Sequence, residues 1–257
     1  MKNIFIKLLR LIQRLVFFLK KIFFFLKKYL SEELAIDTIY QEKVTKILKS
    51  PFERYIVEQD NLSYEYFKKF FLNALFLDSK KIKKYSILRA KNNEIINDTQ
   101  NYYYLEFGVF NGRSINFLSK FVDKIYGFDS FTGLEEDWTG TTLLKGTFNL
   151  NGKAPKVRNN VQLIQGVIQK TLPVFLNNNI KINFMHIDVD TYETTKFILE
   201  NTKKYLTKNA IILFDEFYNF HGWQKGEYKA LQEVFKENQY NYIYFSIEGQ
   251  QVAIQLI

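Results

Sequence analysis

The sequence predicts an α/β protein: a Rossmann-like, seven-stranded sheet with a terminal antiparallel hairpin, preceded by a helical N-terminal region. Three observations carry this. After residue 100, short apolar runs alternate with amphipathic helical segments, and strands alternating with helices imply a parallel sheet covered on both faces. Two strand-like runs, Asn241–Ile247 and Gln251–Ile257, close the sequence around a short turn containing Gly249, which is a hairpin pattern. Before residue 100 the apolar spacing is helical.

Taken in order, Tyr102–Phe107, Lys124–Phe128, Val161–Gln165, Ile182–Ile187 and Ala210–Phe214 read as the parallel strands. Arg113–Phe121, Gln169–Asn177, Tyr192–Leu206 and Gly226–Glu237 read as the helices between them. Upstream, Ser31 followed by Glu32 and Glu33 offers a capping hydroxyl and acids for a first helical turn. Tyr64–Phe76 carries aromatics at helical spacing, expected in the core rather than as ligand platforms. Three regions follow: a basic amphipathic helix over 1–30, a helical layer over 31–100 that packs on one sheet face and covers the site, and the ligand-binding domain over 101–257.

The absence of cysteine excludes disulfides, thiolate catalysis and cysteine-ligated metals. With only His186 and His221, any metal must be held mainly by carboxylates. Of the net charge of +9, eight units belong to Lys2, Lys7, Arg10, Arg14, Lys20, Lys21, Lys27 and Lys28, leaving about +1 for the rest. That near-neutral body argues against nucleic acid as partner. On a helical wheel those eight charges share one side, opposite Leu8, Leu11, Ile12, Leu15, Phe18, Leu19, Ile22 and Leu26. Charges interrupt the segment too often for a membrane span, so residues 1–30 are expected on an anionic membrane surface, at the inner face of the cytoplasmic membrane. An oligomerisation helix, and hence a homo-oligomer, is the alternative reading.

Ligands of such sheets bind beyond the carboxyl ends of the strands. The first parallel strand runs into Glu106-Phe107-Gly108-Val109-Phe110-Asn111-Gly112-Arg113-Ser114. Gly108 would let backbone approach a ligand and Gly112 would relieve the turn into the helix, but the spacing is not the G-x-G-x-x-G of a pyrophosphate cradle. Glu106 adds negative charge where a cationic ligand could sit. The second strand ends at Asp129, where a carboxylate could accept both hydroxyls of a ribose or cap the following turn. Asp188 and Asp190 follow one strand and Asp215 and Glu216 the next; carboxylates gathered so closely repel unless a cation or proton joins them.

Leu105-Glu106-Phe107-Gly108-Val109, Gly127-Phe128-Asp129-Ser130-Phe131-x-Gly133-Leu134, His186-Ile187-Asp188-Val189-Asp190-x-Tyr192-Glu193-x-Thr195 and Phe214-Asp215-Glu216-Phe217 stand in order. Together they resemble the macrocin O-methyltransferase family of class I methyltransferases, over about residues 100–245. The resemblance implies S-adenosylmethionine (SAM) as methyl donor and Mg2+, with methyl transfer to a hydroxyl of a sugar-containing acceptor. It implies a cofactor site at Glu106, Gly108, Gly112, Ser114, Asp129, Ser130 and Asp188, metal ligands Asp188, Asp215 and Glu216, and Asp190 as general base. Many relatives carry Asp-Asp where this chain has Asp215-Glu216. The membrane helix points to a surface-glycan or glycoside precursor; a phenolic natural product, or a non-catalytic SAM-binding scaffold, are the alternatives. His186, inside its strand, is expected to pack in the core. His221, in the loop after the fifth strand, is a candidate to hold substrate or assist proton transfer. Trp223, Tyr192 and Tyr218 could stack on a sugar ring or pack.

Overall fold

The computed structural model describes residues 63, 66–67, 69–71, 73–94, 102–176, 180–246 and 249–257. They belong to the compact unit Tyr55–Ile257. The expected amphipathic helix at residues 1–30, with its membrane role, and the capped start at Ser31 lie outside the described residues. No helix among those described is long and apolar enough to cross a membrane.

Among the described residues, eight strands form one sheet. In chain order they are β1 (Leu75–Leu77), β2 (Tyr102–Phe107), β3 (Ile125–Asp129), β4 (Val161–Gln165), β5 (Lys181–Ile187), β6 (Leu206–Phe214), β7 (Tyr240–Ser246) and β8 (Val252–Leu256). Their spatial order is β1-β7-β8-β6-β5-β2-β3-β4. β8 is antiparallel to both β6 and β7, while the other pairings are parallel. The seven expected strands are present, with the terminal hairpin folded so that β8 sits inside the sheet. The eighth, β1, falls within the stretch read as helical. Leu75, Phe76 and Leu77 pair with Tyr244, Phe245 and Ser246, so an open sheet edge captures backbone whose apolar spacing alone fits a helix.

Among the described residues, the sheet is flanked by helices α1 (Ser79–Asn92), α2 (Arg113–Leu118), α3 (Ile168–Phe175), α4 (Tyr192–Thr202) and α5 (Glu227–Val234). Asp78 starts α1 by accepting from the amide of Lys81 at 2.8 Å, supplying one of the orphan N-terminal donors with a partner. The strands are apolar on both sides because both sides are covered. Along β6, Ile211 and Leu213 join the core that holds Ile82 and Ile87 of α1 and Ile115 of α2. Ile212 and Phe214 join the opposite core, with Leu172 of α3, Ile198 of α4 and Leu231 of α5. This period-two alternation makes a three-layer α/β/α sandwich.

β2 is the switch point of the sheet: β3 lies on one side of it and β5 on the other. Successive connections therefore leave in opposite directions and open a crevice beyond the strand ends. Backbone hydrogen bonds step across this edge, from Gly108 N to Phe128 O, Asp188 N to Phe107 O and Asp215 N to Ile187 O, at 2.9, 2.9 and 3.0 Å. The loops that carry the candidate site residues are thus fixed to one another before any ligand arrives.

Phe67 anchors the helical residues before β1. It is fully buried and packs edge-on or tilted against Phe217, Tyr218, Trp223 and Phe245. Phe67→Ala should destabilise the protein by about 3–5 kcal/mol, read as a lower urea midpoint at unchanged slope.

Candidate active site

A cavity of about 280 Å³ opens over the crevice, lined by Gly108, Asp129 and Ser130 on one side and Asp188, Asp190 and Glu216 on the other. Its apolar wall includes Phe110, Phe128, Trp138, Phe148 and Ile168. Thus Gly108, Asp129, Ser130, Asp188, Asp190 and Glu216, all expected site residues, meet in one space. The remaining expected residues do not line it. Glu106 lies buried beneath, within β2. Gly112 is the left-handed N-cap of α2, with φ +78°, so it serves the turn into the helix as expected. Ser114, in α2, turns its hydroxyl toward His186 Nδ1 at 3.5 Å.

Gly108 has a packing reason beside the expected one. At φ +83° it adopts a conformation that favours glycine, and an added Cβ would stand 1.7 Å from the carbonyl oxygen of Asp188. The missing side chain therefore admits the neighbouring strand end, and Gly108 also lines the cavity.

Asp129 is both a brace and part of the wall. Its Oδ2 accepts from the amides of Val109 and Phe110 at 2.8 and 2.7 Å, and its Oδ1 from that of Phe131 at 2.7 Å. A carboxylate offers about four acceptor directions, so three amides leave about one for a ligand hydroxyl, rather than the pair expected. Phe110, Phe148 and Asp190 hold left-handed backbone at φ 45°, 67° and 62°. Such conformations cost about 1–3 kcal/mol each and concentrate at functional sites.

Asp190 faces Glu216 across the cavity floor, and Asp188, Asp190 and Glu216 offer oxygens all within 4.8 Å of one another. Burial, then repulsion from Asp215 and Asp129, outweighs a hydrogen bond from Glu216 and pushes Asp190 up to about 7. Burial also raises Glu216 and Asp188, with Asp215 the strongest like-charged neighbour of each. Glu227 of α5, which sequence reading passed over, is buried and adds to this charge. Its Oε2 accepts from the amide of Glu216 at 3.0 Å and so fixes the backbone there.

Asp215 belongs to a second group. Its Oδ1 is 2.9 Å from Lys83 Nζ and 3.0 Å from His186 Nε2, and accepts from the Gln251 amide. Burial would raise Asp215, but His186 and Lys83 hold it well below the usual carboxylate range. Burial and the Lys83 charge would lower His186, yet Asp215 and Glu106 prevail and lift it to about 9. His186 is in the core as expected, but as a charged link rather than inert packing.

The ligand set implied by the resemblance, Asp188 with Asp215 and Glu216, is divided between two groups that share Asp188. Among the described residues these are His186–Asp188–Asp215 and Asp188–Asp190–Glu216. Oδ1 of Asp215 is already engaged by two cationic groups, Lys83 and His186.

His221 sits in an exposed turn outside the cavity wall. Its carbonyl oxygen packs so closely on Gly140 that a Cβ there would come within 1.9 Å, docking the loop after β6 onto the loop after β3. The three candidate stacking residues are packing. Trp223 and Tyr218 are buried, and Tyr192 donates to Glu233 at 2.6 Å on the outer side of α4. Of the rings that do reach the cavity, Phe110, Trp138 and Phe148 carry no expected stacking role in the sequence. For Trp138 and Phe148 the long connection Ser130–Asn160 was the available signal, since long loops in compact domains are commonly functional.

Residues 105–217 match the family described as a methyltransferase domain. Over that segment the chain is methyltransferase-like. No curated protein matches the chain. Among solved structures, the calicheamicin methyltransferase CalS11 aligns with a TM-score of 0.53 and 22% identity, over 85% of this chain and 91% of its own. A further structure of CalS11, described as a TDP-rhamnose 3'-O-methyltransferase, aligns at 0.47 and 21%, over 85% and 93%. The O-methyltransferase NovP aligns with a TM-score of 0.50 and 14% identity, over 69% and 78%. The fold is that of these methyltransferases.

Gly108→Ala should cost far more stability than Gly146→Ala. Both glycines have positive φ, but a Cβ at Gly146 meets nothing within 4 Å. Thermal melts of the two variants should separate a backbone collision from the roughly 1 kcal/mol of glycine conformational freedom alone.

Proposed function

We propose that the chain is a SAM-dependent O-methyltransferase acting on a hydroxyl of a sugar-containing acceptor. The observation that carries this reading is the single cavity that joins the Gly108 and Asp129 strand ends to the acids at the ends of β5 and β6. The methyl donor would lie along the first pair, with one hydroxyl on Asp129, and present its methyl group toward Asp190. In the transfer, an acceptor oxygen forms a bond to the methyl carbon as the carbon–sulfur bond breaks. The bonding pair stays on sulfur, and the hydroxyl proton passes to Asp190.

Asp190 suits that step. A general base works best with a pKa near the operating pH, and burial has brought this carboxyl to about 7. The magnesium implied by the resemblance, if held by Asp188, Asp190 and Glu216, would occupy the base itself. The reaction proposed here moves its proton through Asp190. The sugar acceptor follows the description of CalS11, whose fold this chain shares. A phenolic acceptor is the second reading, favoured by the rings of Phe110, Trp138 and Phe148 in the cavity wall.

Labelled SAM should be incubated with nucleotide sugars, lipid-linked glycans and phenols. The basic, apolar segment 1–30 is the reason for including the lipid-linked set. Label should pass to a saccharide hydroxyl; transfer to phenols alone would select the second reading, and no SAM binding by calorimetry would end both.

Single-turnover methyl transfer should rise with pH up to about 7 and then level, because protonated Asp190 cannot accept a proton and its ionised form can. Asp190→Asn should lower the rate by about 10²–10⁴ and abolish that rising limb, with SAM affinity retained. An unchanged pH profile in Asp190→Asn would remove this residue as the base.

A further inference from the structure

Lys83 lies in α1, outside the methyltransferase-like segment. Its side chain is only 15% exposed, and its ammonium stands 2.9 Å from Asp215 Oδ1. Asp188 and Glu106 attract it as well. On the far side of Asp215, His186 Nε2 stands 3.0 Å from the same oxygen and His186 Nδ1 lies 3.8 Å from Glu106 Oε2. A charged chain thus runs from α1 through β6 and β5 to β2 beneath the cavity. Its acids outnumber its cations. Glu106, Asp188, Asp190, Asp215, Glu216 and Glu227 gather around Lys83 and His186, and both oxygens of Glu106 lack a hydrogen-bond partner.

A buried carboxylate left without a counter-charge is strongly destabilising. A divalent cation shared by Asp188, Asp215 and Glu216 is one way to supply that charge. The structure supplies it at Asp215 with a lysine.

We propose that Lys83 is a positioning residue: its ammonium is the resident cation of the acid layer and takes, at Asp215, the place that the resemblance gives to magnesium. It holds Asp215 against His186, so that of the four acids following β5 and β6 only Asp188, Asp190 and Glu216 line the cavity. A positive charge fixed at Asp215 repels a metal ion from the same oxygen, so the native chain assembles this part of its site without one. The inference rests on the methyl-transfer reading only for what the acids do. Its test reads cation binding and requires no turnover.

Mn2+ alone is the probe, titrated into the full chain while its free-ion electron paramagnetic resonance signal is followed. Lys83→Met removes the charge and nearly keeps the length, and should bind Mn2+ at least about tenfold more tightly than the native chain. The added substitution Asp215→Asn should remove that gain, and Lys83→Arg should behave as native. Tight Mn2+ binding by the native chain that weakens in Lys83→Met, or no gain in Lys83→Met, would overturn the proposal. If Lys83→Met does not fold, Lys83→Gln is read in the same way. Should both neutral variants fail to fold while Lys83→Arg folds, the charge itself is what the acid layer requires, as proposed. Should Lys83→Arg fail too, the side chain is packing and the proposal falls. Loss of methyl transfer with these cation responses intact would count against the function and not against Lys83.

Discussion

The structure around the cavity depends on how carboxylates at the ends of neighbouring strands are kept from repelling one another. Strand ends of a parallel sheet stand side by side, so acids placed there are forced together by the fold. Burial strengthens each repulsion because less water screens it. Two cationic groups, Lys83 and His186, converge on one oxygen of Asp215 and keep it ionised. The acids that lack such a partner, Asp188, Asp190, Glu216 and Glu227, are pushed toward the protonated form. One layer of like residues is thereby divided into an anchored carboxylate below and proton-holding carboxyls at the cavity floor.

That division gives the cavity its chemical direction. On one side Asp129, held by three backbone amides, makes the loop after β2 rigid and leaves little capacity for a ligand. On the other, Asp190 is held in left-handed backbone at a pKa suited to proton transfer. Between them the hydrogen bonds that step from strand end to strand end keep both walls in register. The left-handed backbone at Phe110, Phe148 and Asp190 lies at the cavity wall, where such conformations concentrate. A reacting pair bound across this gap would meet groups already placed, and pre-placement lowers a barrier more than added affinity does.

Some of this was legible in sequence because it rests on local periodicity and on position after a strand. The parallel strands and terminal hairpin appear where the alternation of short apolar runs and amphipathic segments puts them. Asp129, Asp188, Asp190 and Glu216 reach one cavity because residues following adjacent parallel strands must. β1 was not legible, since three apolar residues pair with β7 only once the sheet edge exists. Nor were Trp223 and Tyr218: an aromatic in a loop looks the same in sequence whether it faces a sugar or the core. Here Phe67 and its neighbours claim both.

Sequence by itself determined the α/β architecture, the strand ends that carry chemistry and the excess of acids gathered there, because each follows from short-range pattern. Which acid would be neutralised, and by what, was decided only by tertiary structure. Lys83 stands far along the chain from Asp215 and comes within 2.9 Å because α1 packs on the face of β5 and β6. Charge pairing acts through space, and the distance that sets its strength is a property of the packed layers alone.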